Sequence, residues 1–184
     1  MSLVNHLAQD PYLSRLGERT EIASAFFEGI VANLQADLDQ AEQLRSQAGS
    51  STDELPQALD MLGIKLDVQR TEDRKGPSSL ILSSAYSEIR VIANNPPGWM
   101  FIQVSKSSAM FEGVLHFGLL EVSLPTQPGR PHEINFVRLA WLFTEGVPDR
   151  DRLRPRLVAD QLWKHLLSPE VHPQLEEFNK RNDR

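Results

Sequence analysis

A long segment with helical periodicity near the start of the chain constrains its fold most strongly. From Thr20 to Gly49, apolar residues recur every three or four positions, at Ile22, Phe26, Ile30, Leu34, Leu38, Ala41 and Leu44. This spacing predicts an amphipathic helix over residues 20–48, with Thr20 as its cap and Gly49 as its end. Such a helix would be roughly 40 Å long, which is longer than the core of a small domain usually needs.

The excess length of this helix indicates that part of its apolar stripe contacts another molecule. A second copy of the chain is the simplest partner, and another protein is the alternative. The residues predicted to form this protein interface are Ile22, Phe26, Ile30, Leu34, Leu38 and Leu44. Because the stripe is regular over its whole length, the sequence alone does not separate the part that packs internally from the part that binds a partner.

The hydrophobic period changes from helical to alternating after residue 60. In "IKLDVQRTE", Ile64, Leu66 and Val68 alternate with polar residues, and "WMFIQVSK" alternates in the same way. Short turn signals, among them "DRKGPSS" and "NPPG", separate consecutive segments of this kind. Residues 62–145 are therefore predicted to form an antiparallel meander sheet of about five or six strands.

The most apolar strand candidate, "MFEGVLHFGLLEVSL", does not sort into two faces with a strict period of two. A one-residue bulge at Gly118 restores the alternation, since glycine within a strand often marks a bulge. With the bulge, the large apolar residues share one face, and His116 and Glu121 lie on the more polar face. We therefore expect His116 to be a partly exposed strand residue, with a reactive role as the less favoured alternative.

The following segment, "EINFVRLAWLFTEG", is apolar on both sides, which is typical of a strand covered on both faces. Arg138 is the exception, and burying its charge requires a partner. Glu112 or Glu121 on the neighbouring strand is the expected partner. Helical patterns then follow over residues 153–181, so the prediction is one α+β domain over residues 1–184, with C-terminal helices packed on the sheet.

Composition and charge exclude several classes of function. The chain has no cysteine, which removes disulfides, thiolate nucleophiles and cysteine-based metal sites. Its formal net charge of −6 disfavours a broad attraction to nucleic acid or to anionic membranes. No apolar run approaches the ~18 residues of a membrane span, and no secretory signal pattern is visible at the start. A cytoplasmic location is therefore expected, without binding to membrane or nucleic acid.

Apart from the predicted protein interface, two groups of residues are candidate functional sites. His116, Glu121 and Arg138, with Trp99 on a proline-rich loop, are candidate ligand-binding residues. Arg154 and Arg156 are candidate anion-binding residues near the start of a C-terminal helix, although nearby aspartates favour a salt-bridged, solvated segment. The histidines and glutamates match no metal motif, so neither a metal nor a cofactor is predicted.

Motifs of enzyme active sites, such as a nucleophile elbow or a phosphate-binding loop, are missing from the sequence. The favoured hypothesis is therefore a non-catalytic, cytosolic protein–protein interaction protein of adaptor or chaperone-like type, acting as a dimer. The alternative is a small-molecule-binding protein or enzyme with a pocket between sheet and helices, lined by His116, Glu121 and Arg138. A strict monomer would weaken the first hypothesis, and a closed polar pocket would favour the second.

Overall fold

The computed structural model describes residues 15–47, 57, 60–73, 76–85, 87–108, 111–123, 133–136 and 153–167. For residues 106–108, 111–123 and 133–136 it describes the backbone alone. The helices and strands, in chain order, are α1 (Leu16–Gln47), β1 (Lys65–Arg70), β2 (Ser78–Ser83), β3 (Ser87–Ala93), β4 (Trp99–Ser108), β5 (Phe111–Ser123), β6 (Glu133–Phe136) and α2 (Pro155–Leu167).

The strands form an antiparallel meander in the order β1-β2-β3-β4-β5-β6, so each strand pairs with its neighbour in the chain. A long N-terminal helix, an antiparallel sheet and a C-terminal helix confirm the predicted α+β class. Strands β1–β4 carry the described side chains that pack against the helices. Six strands lie within the described residues, and the strand total of the whole chain stays a prediction, as does the assignment of the whole chain to one domain.

One face of the sheet packs against both helices. In β3, in β2 from Ser79 onward and in the described side chains of β4, every second side chain is buried, and the residues between them are half-buried or exposed. This alternation is the expected result of a sheet with one covered face. The buried apolar strand residues are Leu80, Leu82, Ile89, Val91, Ala93, Met100, Ile102 and Val104, and the buried polar one is Ser87.

The first strand follows the predicted alternation as well. Ile64, Leu66 and Val68 are half-buried and pack against the core, whereas Lys65 and Asp67 are exposed. β1 is therefore a partly buried strand at one edge of the sheet, paired with β2.

Helix α1 begins earlier than its sequence pattern predicts. It starts at Leu16 rather than at residue 20, so the prediction that Thr20 caps the helix is wrong. Thr20 lies inside the helix, buried, with its hydroxyl donating to the carbonyl of Gly17 at 2.8 Å. A hydroxyl that bonds back to a carbonyl one turn earlier is a common alternative to capping. Gly49, the predicted end, lies outside the described residues.

Helix α2 is fixed at both of its ends. Its first residue, Pro155, packs closely against Gly29 of α1. A larger residue would not fit at position 29, because its Cβ would lie 2.6 Å from the proline Cγ. At the other end, the hydroxyls of Ser84 and Ser87 donate to the carbonyl of Leu166 at 3.1 and 3.0 Å. Carbonyls in the last turn of a helix have no partner within the helix, so these serines tie the β2–β3 hairpin to α2.

The predicted bulge at Gly118 is confirmed by the register of β4 and β5. Phe101 pairs with Leu119 and the next residue, Ile102, pairs with Phe117, so Gly118 is the additional residue. The bulge changes which residues of β5 oppose the core-facing side of β4. The resulting apolar pairs are Leu120 with Met100, Phe117 with Ile102 and Leu115 with Val104.

Candidate functional site

The apolar stripe of α1 divides into two parts with different surroundings. Phe26, Ile30 and Leu34 are 8%, 0% and 0% exposed, and they belong to the core formed by the sheet and α2. The chain itself therefore covers this part of the predicted interface, because α2 and the sheet both pack on it. Ile22, at the start of the stripe, is half-buried.

The second part of the stripe lies on residues 35–47, none of which is buried. At 1.5 Å per residue, this part of α1 extends about 20 Å beyond Leu34. The apolar residues that continue the stripe lie on one side of the helix: Leu38 and Ala41 are half-buried, and Leu44 is 47% exposed. We call Leu38, Ala41 and Leu44 the distal stripe.

A further exposed apolar side chain lies close to the end of the distal stripe. Arg45 of α1 forms an ion pair of 3.1 Å with Asp60, and the next residue, Met61, is 81% exposed. Among the described residues, the large exposed apolar side chains are Leu44, Met61 and Leu167. Two of these three therefore lie at the same end of the molecule, on either side of one ion pair.

The backbone positions of Trp99, His116 and Glu121, the candidate ligand-binding residues that the structure describes, fall at two separate points along β4 and β5. Trp99 pairs with Glu121 across β4 and β5, whereas His116 pairs with Gln103. Trp99 and Gln103 are four positions apart on β4, or about 13 Å along the strand. Both are half-buried and alternate with core residues, so they lie on the sheet face away from the helices. Arg138 lies outside the described residues.

The two candidate anion-binding arginines lie at the start of α2. Arg154 directly precedes the helix, and Arg156 is its second residue. Arg156 donates to Asp37 of α1 at 2.6 Å and forms an ion pair of 2.6 Å with Asp160, and hydrogen bonds to Asp37 and then Asp160 raise the pKa of its guanidinium. Arg154 is exposed, with Nη1 donating to the carbonyl of Leu153. Because two carboxylates already neutralise Arg156, an added anion would compete with them. Anion binding at these arginines stays a prediction.

A cavity of about 610 Å³ lies between α1 and the adjoining ends of β1 and β2. Across it, Arg70 donates to both carboxylate oxygens of Glu28, at 2.7 and 2.8 Å. These hydrogen bonds raise the pKa of the Arg70 guanidinium, which therefore stays charged near neutral pH. The cavity is lined by Glu21, Ser24, Ala25, Glu28, Arg70, Thr71 and Ser78.

A second, shallower depression of about 550 Å³ lies on the sheet face away from the helices. Ile81 and Ile92 form its apolar floor, and Ser79 and Arg90 are among its polar residues. The guanidinium of Arg90 lies 3.5 Å from the carboxylate of Glu88. This mixed surface has no closed shape that would define one ligand.

A buried asparagine that the sequence patterns did not single out joins the β3–β4 loop to α1. Asn94 is 2% exposed, and its amide donates to the carbonyl of Thr20 at 3.1 Å and to the hydroxyl of Ser24 at 2.8 Å. Its side-chain oxygen accepts from the backbone N–H of Gly98 at 3.0 Å. The "NPPG" signal predicts the loop, but it does not indicate that the preceding asparagine anchors it.

Known proteins give no independent indication of the site. No family model, curated protein or solved structure matches the chain.

Within the described ranges, no three histidine or acidic residues are grouped so that they could hold a metal ion. In the same part of the chain, neither helix combines the length and the apolar character required to cross a membrane.

Proposed function

We propose that this chain is a cytoplasmic, non-catalytic protein of adaptor or chaperone-like type, which binds another protein chain through the distal stripe of α1. One observation carries the proposal: α1 continues about 20 Å past its last buried residue while keeping apolar residues on one side. A solvated extension would be expected to carry polar residues at these positions. Leu44 and Met61 are instead exposed together at this end.

The energetic reason for binding is the hydrophobic effect. Fully burying a leucine or methionine side chain contributes about 1.5–3 kcal/mol, and Leu44 and Met61 still have much of that surface to bury. Association must also overcome lost translational and rotational freedom, so a contact of this size supports micromolar rather than very tight binding. Clusters of exposed apolar residues at one end of a molecule are typical of interaction surfaces.

Exchanging one leucine for a charged residue tests the proposal. Leu44→Glu is expected to weaken self-association or partner binding at least about tenfold, because a carboxylate would be buried in an apolar contact. Gln43→Glu is the matched control, since Gln43 is exposed and lies about 200° around the helix from Ala41. Sedimentation equilibrium of both variants gives the dissociation constants. Equal dissociation constants for wild type, Leu44→Glu and Gln43→Glu would show that the distal stripe is not part of the interface.

A second candidate function is the binding of a small molecule. It is supported by the 610 Å³ cavity beside α1, whose volume lies within the usual range of ligand sites, about 300–1,000 Å³. Its polar groups include the Arg70–Glu28 pair and the hydroxyl of Ser24. A pocket built on His116, Glu121 and Arg138 remains the other form of this hypothesis.

A thermal-shift screen with a cavity-filling variant separates this candidate from the first. A specific ligand at a hundredfold excess over its dissociation constant should raise the Tm by about 5 °C or more. Ala25→Trp, which fills the cavity, should abolish that shift, and Ala32→Trp at an exposed position outside the lining should preserve it. A ligand that stabilises wild type and Ala25→Trp equally would show that this cavity is not its site.

A further inference from the structure

We infer that a second copy of this chain binds at the open edge of β1, where the two sheets join through an antiparallel β1–β1 pair with Leu66 on the two-fold axis. This contact goes beyond the proposed function, because it uses the backbone of β1 rather than the distal stripe of α1. In the part of the chain that the structure describes, β1 pairs with β2 alone and forms one edge of the sheet. An open edge presents backbone N–H and C=O groups to which an extended strand can bind.

A hydrogen bond of the β2–β3 hairpin shows which residues of β1 direct their backbone groups to the open edge. The N–H of Ser84 donates to the carbonyl of Ser87, the residue opposite it, at 2.8 Å. Hydrogen-bonded and non-hydrogen-bonded pairs alternate along an antiparallel ladder, so the even-numbered residues of β2 bond to β3 and the odd-numbered ones bond to β1. The partners of the odd-numbered residues in β1 are Lys65, Asp67 and Gln69. The N–H and C=O groups of Leu66 and Val68 therefore point away from β2, to the open edge.

The burial of the helix-covered face decreases at the same edge. Leu80 and Leu82 of β2 are 0% exposed, whereas Val68 and Leu66, which lie opposite them in β1, are half-buried. All four side chains lie on the same face of the sheet, and β2 has a neighbouring strand on each side. A strand added beyond β1 would cover the remaining apolar surface of Val68 and Leu66 while it pairs with their backbone groups.

The sequence of β1 is complementary to itself in one antiparallel register. With the axis at Leu66, this residue exchanges both of its backbone hydrogen bonds with the partner's Leu66. Ile64 then lies opposite the partner's Val68, with apolar side chains on the helix-covered face in both copies. On the other face, Lys65 lies opposite the partner's Asp67. A two-fold contact requires such a self-complementary surface.

Within the described residues, the charged side chains that meet in this register have no other ionic partner. Lys65 and Asp67 are both exposed, and neither forms an ion pair with a described residue. Asp67 accepts one hydrogen bond through Oδ2, at 3.3 Å from Gln69, and its Oδ1 is open to the partner's lysine. Arg70, which binds Glu28, lies beyond the paired residues 64–68 and keeps its ion pair. Opposite charges directly across an antiparallel pair stabilise it.

Neighbouring registers lose this complementarity. An axis at Lys65 or at Asp67 sets that residue opposite its own copy, so that like charges meet. An axis at Val68 sets Leu66 opposite the partner's Arg70 on the helix-covered face, and an axis at Ile64 leaves most of β1 beyond the partner strand. The register centred on Leu66 therefore pairs apolar residues with apolar residues and opposes charges of opposite sign.

Cysteine cross-linking tests the register, because the chain contains no cysteine of its own. Chains with Lys65→Cys and chains with Asp67→Cys should form a mixed disulfide at least about tenfold faster than either chain cross-links with itself. Opposite residues of a non-hydrogen-bonded pair have Cα atoms about 4.5 Å apart, whereas two copies of residue 65 are diagonal neighbours at roughly 7–8 Å, beyond the usual span of a disulfide. Both positions are exposed, and the melting temperature of each variant shows that it is folded.

Two results of the cross-linking would overturn the inference. Equal rates in the mixture and in the separate chains would show that the disulfides come from random collisions. Faster cross-linking of Lys65→Cys alone or of Asp67→Cys alone would indicate a parallel pair or a different axis.

A proline in β1 tests the backbone pairing. Val68→Pro removes an N–H that points to the open edge, so β1 keeps its hydrogen bonds to β2. In chains that carry Leu44→Glu, which removes the contribution of the distal stripe, Val68→Pro should raise the dissociation constant at least about tenfold over Val68→Ala. Val68→Ala is the matched control, because it also shortens the side chain but keeps the N–H. Sedimentation equilibrium gives both constants, and equal values would contradict the pairing.

The outcomes for this contact and for the proposed function are distinguishable. A mixed disulfide that forms equally fast with and without Leu44→Glu would support the β1 pair, whatever the distal stripe binds. If Leu44→Glu chains are monomeric at about 100 μM and give no preferred mixed disulfide, the β1 pair is wrong. An interaction that depends on Leu44 would in that case support the proposed function alone.

Discussion

Replacing Leu34 by alanine is expected to lower the free energy of unfolding by about 2–5 kcal/mol. Leu34 is fully buried, and its side chain packs within the core shared by α1, the sheet and α2. The substitution removes buried methyl groups and leaves a cavity that this two-sided packing prevents from closing. Because the contact is within one chain, the loss should not depend on protein concentration.

Leu44→Ala is the matched control for this prediction, since it makes the same change ten positions later in the same helix. Leu44 is 47% exposed, so below the concentration of assembly the control should change stability by about 0.5 kcal/mol or less. Urea denaturation at low protein concentration measures both values. Similar losses for Leu34→Ala and Leu44→Ala would contradict the division of the stripe into a core part and a binding part.

The second large effect is expected at Asn94, where alanine should lower the free energy of unfolding by about 2–5 kcal/mol. Two causes contribute. The buried N–H of Gly98 loses its acceptor, which costs about 1–3 kcal/mol. Asn94 also has a φ of 57°, a left-handed conformation that costs alanine roughly 1–2 kcal/mol.

Asn94→Gly separates these two causes, because glycine adopts the left-handed conformation without a steric penalty. It should be destabilised by the lost hydrogen bonds alone, and therefore by about 1–3 kcal/mol. The difference between the two variants, measured by thermal or chemical unfolding, gives the backbone contribution. If Asn94→Ala changed the stability by less than about 0.5 kcal/mol, the anchoring role of this side chain would be wrong.

Local periodicity predicted much of the fold because the chain has one large covered sheet face and a long helix. The alternation in β1 identified the residues that face the core, including Leu66, and the alternation in β4 separated its two faces without indicating which one is covered. The bulge at Gly118 was predictable because one extra residue shifts the apolar pattern by one position. In each case the signal lies within a few neighbouring residues.

The contacts that orient α2 could not be predicted in this way. Asp37 accepts hydrogen bonds from Arg156 and from the indole N–H of Trp163, at 2.6 and 2.7 Å. These partners are 119 and 126 residues away in the chain, so no local pattern connects them. The sequence indicated that Arg156 would be neutralised by carboxylates, but it pointed to neighbouring aspartates rather than to a residue on α1.

The division of the apolar stripe also required the structure. The apolar stripe of α1 continues past Leu34 at helical spacing, although the surroundings of the helix change there. Which residues are covered depends on where the sheet and α2 end relative to the helix, and that is a property of the tertiary packing. Among the described residues, the distal stripe is therefore the part of the predicted interface that is not buried in the core.

Hydrogen exchange of α1 at two protein concentrations is the most direct test of the proposal that the distal stripe binds another protein chain, for which a second copy is the simplest partner. Amides of residues 38–47 should exchange more slowly at about 100 μM than at about 1 μM, since association stabilises a segment that otherwise opens locally. Amides of residues 23–34 should exchange at the same rate at both concentrations. Identical exchange of residues 38–47 at both concentrations, in a chain that remains at 20.8 kDa, would contradict the claim.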